Sequence, residues 1–342
     1  MEMLERIMKA RDLVAGRLME REDTESRDEP ALAHNFVGLG PGYRTRAGEP
    51  QGELCLVVYV RTKLDPDFLG RFDVHPKDKS KRRSYLHEIG DIPVDVVETG
   101  RIRSLAGPRY DGPVSQLVIG ADVTLADSAT HGTVCAFARV QGDEQPHLLS
   151  CGHVLDSCGG QFHLVVSREQ VVARIDKQAD LLPGFGLGFP CQQDAVRARL
   201  LRGVQPNLEL PGGLGRLSTA DPIRPYPGMA VIKAGKTVED GKVACSHATV
   251  LVDYASQSSI LQDQILVEVH SPTFARVGDS GALVVARLNG PNDEGQLWPV
   301  GMIIAAGDPV TLLPKGTATP RRYAVVSPMR EVLNSLGAEL WV

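Results

Sequence analysis

Residues 274–285 read FARVGDSGALVV, and the interpretation of the whole chain starts from this stretch. Ser280 stands between Asp279 and Gly281, directly before an apolar run typical of a buried strand. A serine hydroxyl is a weak nucleophile, and it needs a tight turn that exposes it and a base that accepts its proton. The glycines permit that turn, and the amides of Gly278 and Ser280 are candidate donors to a developing oxyanion. The stretch also fits a polar turn between strands.

A candidate base and a candidate acid occur earlier in the chain. His153 lies in LLSCGHVLDSCG, at the end of an apolar strand, where a general base would be held rigidly beside the core. Asp194 lies in CQQDAVRARL at the start of an alternating strand, where a carboxylate can orient an imidazole. Taken singly, His153 also fits a packed core residue, and Asp194 fits a strand-edge cap. Their order, His153 then Asp194 then Ser280, is that of the chymotrypsin-like template and not that of subtilisins or α/β-hydrolases.

At these motifs the chain resembles the trypsin-like peptidase superfamily over about residues 115 to 342. The resemblance is carried by GTVCAF, SCGHVL, DAV, GDSGAL, the late strand VGMIIAAG and a terminal helix. Within that superfamily it looks most like the bacterial proteins related to the plant Narrow Leaf peptidases. Those proteins also contain segments resembling HNFVGLGPGY, GELCLVVYV and IPVDVVE, which extends the resemblance back to about residue 34.

The resemblance implies a serine endopeptidase that cleaves protein or peptide substrates through an acyl-enzyme intermediate and needs no cofactor or metal. It makes His153 the general base, Asp194 its orienting acid and Ser280 the nucleophile, with the Gly278 and Ser280 amides as the oxyanion hole. Where trypsin-like enzymes place an acid at the base of the specificity pocket, this chain has Phe274. Cleavage after Lys or Arg is therefore not expected. By the same resemblance, the pocket is lined by small or apolar residues, namely Ile304, Ala305 and Ala306.

The expected fold is mostly β, a chymotrypsin-like double β-barrel with a C-terminal helix, preceded by an N-terminal helix and a small α/β segment. Short apolar runs broken by Gly, Pro and Asp indicate a barrel or sandwich. Three domains are predicted: an amphipathic helix and linker at 1–28, a small α/β segment at 29–110, and the peptidase domain at 111–342. Within the last, the first barrel covers about 115–205, the second about 225–326 and the helix about 327–337.

Composition excludes few partners. The 342 residues carry 37 basic and 42 acidic side chains, a net charge of −5 that gives no global field for nucleic acid or an anionic membrane. The first residues show no signal-peptide core, and no uncharged apolar window is long enough to span a bilayer, so a cytoplasmic protein with reduced cysteines is expected. The amphipathic N-terminal helix could dock on the body, on another protein or on a second copy.

Four other interpretations stay open. Cys151, His153 and Cys158 could begin a zinc site with Cys135 or Cys191, although no C-x2-C pair is present. The basic run KDKSKRR at 77–83 could contact phosphates, but it lacks interleaved aromatics. The glycine-rich LPGFGLG at 182–188 could be a nucleotide-binding loop, but Pro190 follows where a helix should begin, and no phosphate-binding Lys comes after it. Finally, a peptidase fold can serve as a scaffold with little or no hydrolytic activity.

Overall fold

The protein is mostly β in the computed structural model. The structure describes residues 2–20, 36–46, 49–61, 92–100, 102–104, 116–126, 128, 130–155, 164–167, 170–179, 193–218, 221–254, 258–269, 271, 273–288, 296–307 and 322–342. The predicted linker after the first helix, the basic run at 77–83, the glycine-rich stretch at 182–188, Cys158 and Cys191 lie outside these residues.

Where the structure describes the N-terminal part, it has one helix and four strands: α1 (Glu2–Glu20), β1 (Phe36–Arg46), β2 (Glu49–Val60), β3 (Val94–Glu98) and β4 (Ile102–Ser104). β1 and β2 form an antiparallel hairpin, and β3 adds to β2 in parallel. The apolar stripe of α1 predicted from the sequence is buried, because Ile7 and Ala10 pack against Leu39 and Leu56 of the hairpin. The buried Arg11 fixes the helix further through a hydrogen bond to the His247 carbonyl (3.1 Å).

The first barrel is built from short antiparallel strands: β6 (Asp122–Leu125), β7 (Gly132–Thr133), β8 (Ala136–Val140), β9 (Asp143–Ser150), β10 (Leu164–Ser167), β11 (Gln170–Gln178) and β12 (Val196–Leu200). The order of neighbours is β8, β9, β12, β11, β10, β6 and β7. Since β7 and β8 are almost continuous in the chain, the pairing of β7 with β6 closes the ring. A two-stranded parallel pair, β5 (Gln116–Val118) with β13 (Gln205–Asn207), lies outside it.

The described residues of the second barrel form six strands: β14 (Ala230–Ala234), β15 (Val238–Asp253), β16 (Ser258–Val269), β17 (Leu283–Arg287), β18 (Leu297–Gly307) and β19 (Arg322–Pro328). Neighbours run β14, β17, β18, β19, β16 and β15, and β15 pairs again with β14, so the ring is closed. The N-terminal hairpin joins this barrel because β1 pairs with β15. The short strand β4 pairs with the ends of both β15 and β18.

The chain ends in α2 (Met329–Leu336) and β20 (Glu339–Leu340). The helix follows β19 of the second barrel, whereas β20 pairs with β8 of the first. Arg197 of the first barrel donates a hydrogen bond to the Leu336 carbonyl at the end of α2 and pairs with Asp176. A cation near a helix C-terminus is stabilising because it opposes the helix dipole. The last residues therefore tie the two barrels together.

The expected fold is confirmed: two closed barrels, a C-terminal helix, and an N-terminal helix with a small mixed segment before them. The largest core cluster includes residues of both barrels and of α2, such as Phe137, Leu266 and Val332. The predicted domain boundaries stay a prediction. Neither described helix is long and apolar enough to cross a lipid bilayer.

Candidate active site

His153 lies in a short 3-10 turn, Gly152–Val154, that follows β9. Its backbone amide donates to Asp194 Oδ1 at 2.9 Å. This approach depends on Gly152, because a Cβ at that position would lie 2.9 Å from the same oxygen. The strand pairing explains the meeting of the two residues: Ser150 of β9 is opposite Val196 of β12, so the residues just beyond this pair converge.

Asp194 is completely buried and accepts hydrogen bonds on both carboxylate oxygens. Oδ2 lies 2.5 Å from Nδ1 of His153. A buried carboxylate is costly unless hydrogen bonds compensate for the lost water, and these donors supply that compensation. The tautomer of His153 that suits this arrangement carries its proton on Nδ1 and leaves Nε2 as an acceptor.

Ser280 lies in the turn that precedes β17 of the second barrel, and its Oγ is 3.0 Å from Nε2 of His153. The structure therefore brings His153, Asp194 and Ser280, which the sequence analysis singled out, to one point between the barrels. A base at this distance can accept the hydroxyl proton. In this structure Ser280 is fully buried, and the side chain of His153 is 10% exposed.

The turn around Ser280 is pressed against the first barrel at Thr133. The Thr133 amide donates to the Ser280 carbonyl (2.7 Å), and its hydroxyl donates to the Gly278 carbonyl (2.6 Å). Gly281 has a φ of 96°, and a Cβ there would lie 2.1 Å from the Thr133 carbonyl oxygen. The glycine after the serine is thus required by close contact between barrels as well as by its backbone conformation. The oxyanion-hole role of the Gly278 and Ser280 amides stays a prediction.

Tyr254 is a member of the site that the sequence analysis missed. Its hydroxyl donates to Asp194 Oδ2 at 3.0 Å, and its ring lies 5.3 Å from the imidazole of His153, measured between centroids. It follows directly after β15, in VLVDY, and no motif distinguishes it from a core aromatic. Only the pairing of strands distant in sequence brings it to the carboxylate.

Lys233 is a second residue that the sequence did not reveal. Its fully buried Nζ lies 3.0 Å from Oδ2 of Asp279, the residue before Ser280, and donates to the Thr273 carbonyl at 2.9 Å. Burial lowers the pKa of the Lys233 ammonium, and the charge of Asp279 opposes part of that effect. Asp279 also accepts from the Arg276 amide at 2.9 Å. A buried ion pair thus holds the turn that carries Ser280.

The predicted pocket residues occupy two different places. Phe274 is completely buried in the core of the second barrel, and Lys233 Nζ lies 5.9 Å from the centroid of its ring. Ile304 presents its carbonyl 3.4 Å from Ser280 Oγ, and Ala305 and Ala306 follow along β18 as partners of β4. Their role in side-chain selection stays a prediction.

Ligand atoms of Cys151, His153 and Asp194 lie within 4.8 Å of one another, close enough in distance alone for a shared zinc ion. The donor set does not suit a metal, since Nδ1 of His153 faces Asp194 and the Cys151 thiol donates to the Ile303 carbonyl at 3.2 Å. Burial also raises the pKa of Cys151 well above its usual range, which favours the thiol over the thiolate that zinc binds. The site is better described as a hydrogen-bonded serine, histidine and aspartate.

No family model matches this chain, and no curated protein matches it in sequence. Several solved structures are similar in fold. A glutamic-acid-specific serine protease is 19% identical with a TM-score of 0.42, covering 66% of this chain and 100% of its own. The Nocardiopsis protease is 16% identical with a TM-score of 0.46 and the same coverage, and Thermobifida fusca protease A is 16% identical with a TM-score of 0.41, covering 66% and 98%.

The chain has a chymotrypsin-like fold. The two closed barrels, with the histidine and aspartate on the first and the serine on the second, are the features of this structure that define it. The substrate named for the first of those proteins belongs to that protein.

Proposed function

We propose that this protein is a serine endopeptidase that cleaves protein substrates. The observation that carries the proposal is the continuous chain of hydrogen-bonding distances from Ser280 Oγ to His153 Nε2 (3.0 Å) and from His153 Nδ1 to Asp194 Oδ2 (2.5 Å). His153 would take the hydroxyl proton as Oγ attacks the peptide carbonyl, and would then pass it to the leaving amine, which yields an acyl-enzyme. Water activated by the same imidazole would release the acid.

The Asp194 carboxylate keeps His153 in the required tautomer and stabilises the imidazolium that forms in each half of the reaction. None of these steps requires a cofactor. The nearer kinship to Narrow Leaf-type peptidases and the cytoplasmic location are parts of the same proposal, supported by the motifs of the sequence.

A fluorophosphonate probe tests the proposal directly. We expect the intact chain to gain the mass of one phosphonyl group on Ser280, and Ser280→Ala and His153→Ala to gain none. Ser327→Ala is a matched control, because Ser327 is another buried serine of the second barrel, bonded to Gln264 rather than to a histidine. Folded protein that takes no label would count against an enzyme.

The complete burial of Ser280 favours a second candidate function, a peptidase-fold scaffold that binds protein partners with little hydrolysis. The two functions differ in their products. Comparing new protein termini in cells that express the intact chain or Ser280→Ala separates them, since a scaffold generates the same termini with either chain.

The N-terminal helix is proposed to mediate contact with a partner or a second copy. Its inner face packs on the hairpin, whereas Met3, Leu4 and Leu13 remain more than a third exposed. Deleting residues 1–28 should then change the sedimentation coefficient or partner binding. A deletion that leaves oligomer size, partner binding and activity unchanged would refute this role.

A further inference from the structure

The edge of β18 beside Ser280 is occupied by a strand of the chain itself. Along this edge the β17 ladder ends at Leu283 opposite Met302, and the Gly281 amide then donates to the Ile303 carbonyl at 2.7 Å. Ser280 Oγ lies 3.4 Å from the next carbonyl, that of Ile304, and from Ala305 onward the edge of β18 pairs with β4. The antiparallel pairs are Ser104 with Ala305, Arg103 with Ala306 and Ile102 with Gly307.

β4 runs in the direction that an antiparallel peptide would take along this edge. Because β4 is antiparallel to β18, its C-terminal end, Ser104, is the end nearest to Ser280. A peptide that adds to this edge antiparallel to β18, with its scissile carbonyl at Ser280, would place its preceding residues opposite Ala305 to Gly307. Strand addition to a sheet edge is a general mode of peptide binding. β4 therefore lies where such a peptide would lie.

The closed state of the site agrees with this placement. Ser280 has no exposed surface, although the triad geometry around it is complete. A peptide carbonyl cannot reach a buried hydroxyl unless some covering part of the chain moves. Among the described segments, β4 continues the edge of β18 from Ala305, the residue after the carbonyl that Ser280 Oγ approaches, and it is only three residues long.

We propose that β4 is an internal occupant of the peptide-binding edge and that an extended peptide binds only after β4 has left it. The proposal rests on the proposed function, which places the scissile carbonyl of a substrate at Ser280. In this state the chain is inhibited by its own strand.

Within the part of the chain that the structure describes, β4 makes three pairs with β18 and one with β15, at Asp253. The buried Ile102 provides its apolar anchor, and the Thr99 carbonyl lies so close that a Cβ on Gly307 would be 2.5 Å from its oxygen. Short segments with few contacts open at low free energy. Being tethered, however, β4 competes with free peptide at an effective concentration on the order of millimolar.

Peptide binding measures this competition without requiring catalysis. In full-length Ser280→Ala protein, the probe is a fluorescein-labelled peptide with the sequence of residues 99–104, TGRIRS, followed by anisotropy. Adding Ile102→Gly should tighten binding at least tenfold, because the internal competitor loses its anchor. Val37→Gly is the matched control, since it removes an equally buried aliphatic side chain from β1 and leaves β4 intact. Equal affinities in the parent and Ile102→Gly proteins would overturn the proposal.

A reversible cross-link provides a second test that does not depend on weakening the fold. Opposite residues of an antiparallel pair lie about 4.5–5.5 Å apart between Cα atoms, within the reach of a disulfide. We expect Ser104→Cys with Ala305→Cys to bind the peptide at least tenfold more weakly when oxidised than when reduced, and each single variant to show no such difference. Equal binding in both states would refute the inference.

The two proposals fail separately. If neither the intact chain nor a chain carrying only Ile102→Gly reacts with the fluorophosphonate probe, but peptide affinity rises with Ile102→Gly and falls when the cross-link is oxidised, the enzyme assignment fails while the internal occupant is supported. If Ser280 is labelled but neither Ile102→Gly nor the cross-link changes peptide affinity, the enzyme assignment is supported and the internal-occupant proposal fails.

Discussion

Replacing Lys233 by methionine tests how the serine turn is held. The substitution keeps most of the side-chain volume but leaves the Asp279 carboxylate buried without its counter-ion. At the observed 3.0 Å, the Coulomb attraction is about 5–6 kcal/mol with an effective dielectric constant of about 20. Part of this attraction offsets the cost of desolvating the two charges, and removing one partner of a buried ion pair typically costs about 3–5 kcal/mol. We expect a loss of that size in the free energy of unfolding.

Urea unfolding followed by far-UV circular dichroism gives the measurement, and the double variant Lys233→Met with Asp279→Asn is the decisive comparison. Asparagine retains an oxygen that can accept from the Arg276 amide but carries no charge, so the double variant should recover at least about 2 kcal/mol relative to Lys233→Met. The single variant should also react more slowly with a fluorophosphonate, because Asp279 adjoins Ser280. A Lys233→Met protein within about 1 kcal/mol of the parent, or a double variant no more stable than the single one, would show that the ion pair does not hold the turn.

Three further predictions concern other parts of the structure. Tyr254→Phe removes one donor to Asp194 and should slow labelling of Ser280 about tenfold while leaving the unfolding midpoint nearly unchanged, as measured by timed mass spectrometry and urea unfolding. Gly281→Ala should abolish labelling, because its Cβ would meet the Thr133 carbonyl, whereas Gly142→Ala, also at positive φ but with open space around it, should label normally. Hydrogen bonds from His247 and Arg11 lower the pKa of Asp263, so the stability that its carboxylate contributes is present above the unfolded pKa of about 3.9 and is lost as the pH falls further. Acidification should therefore speed hydrogen exchange of the α1 amides, and Asp263→Asn should speed it at all pH values.

The sequence predicts the strands of this fold well where apolar runs are long and uninterrupted. VGMIIAAG corresponds to β18, and the terminal helix predicted at about 327–337 corresponds to α2. The sequence does not predict β11, because QVVARIDKQ alternates apolar and charged residues only partially and one face of it is exposed. β20 is too short to leave a pattern.

The residues of the candidate site also differ in how well the local sequence identifies them. Ser280 and His153 stand out because glycines and an apolar strand mark them locally. Tyr254 and Lys233 act through partners 60 and 46 positions away, and nothing in their own neighbourhoods identifies those partners. The position of β4 on β18 was likewise beyond prediction, since a three-residue strand gains its place from pairing rather than from its own sequence.

The pairing of β20 with β8 affects the order in which parts of the chain can assemble during synthesis on the ribosome. β20 supplies its pairs at residues 339 and 340, so the outer edge of the first barrel is completed only after the second barrel has left the ribosome. A nascent chain still lacking those residues therefore lacks the strand that pairs the segment after α2 with the first barrel, and this link between the two halves of the candidate site forms only after both barrels have been synthesised.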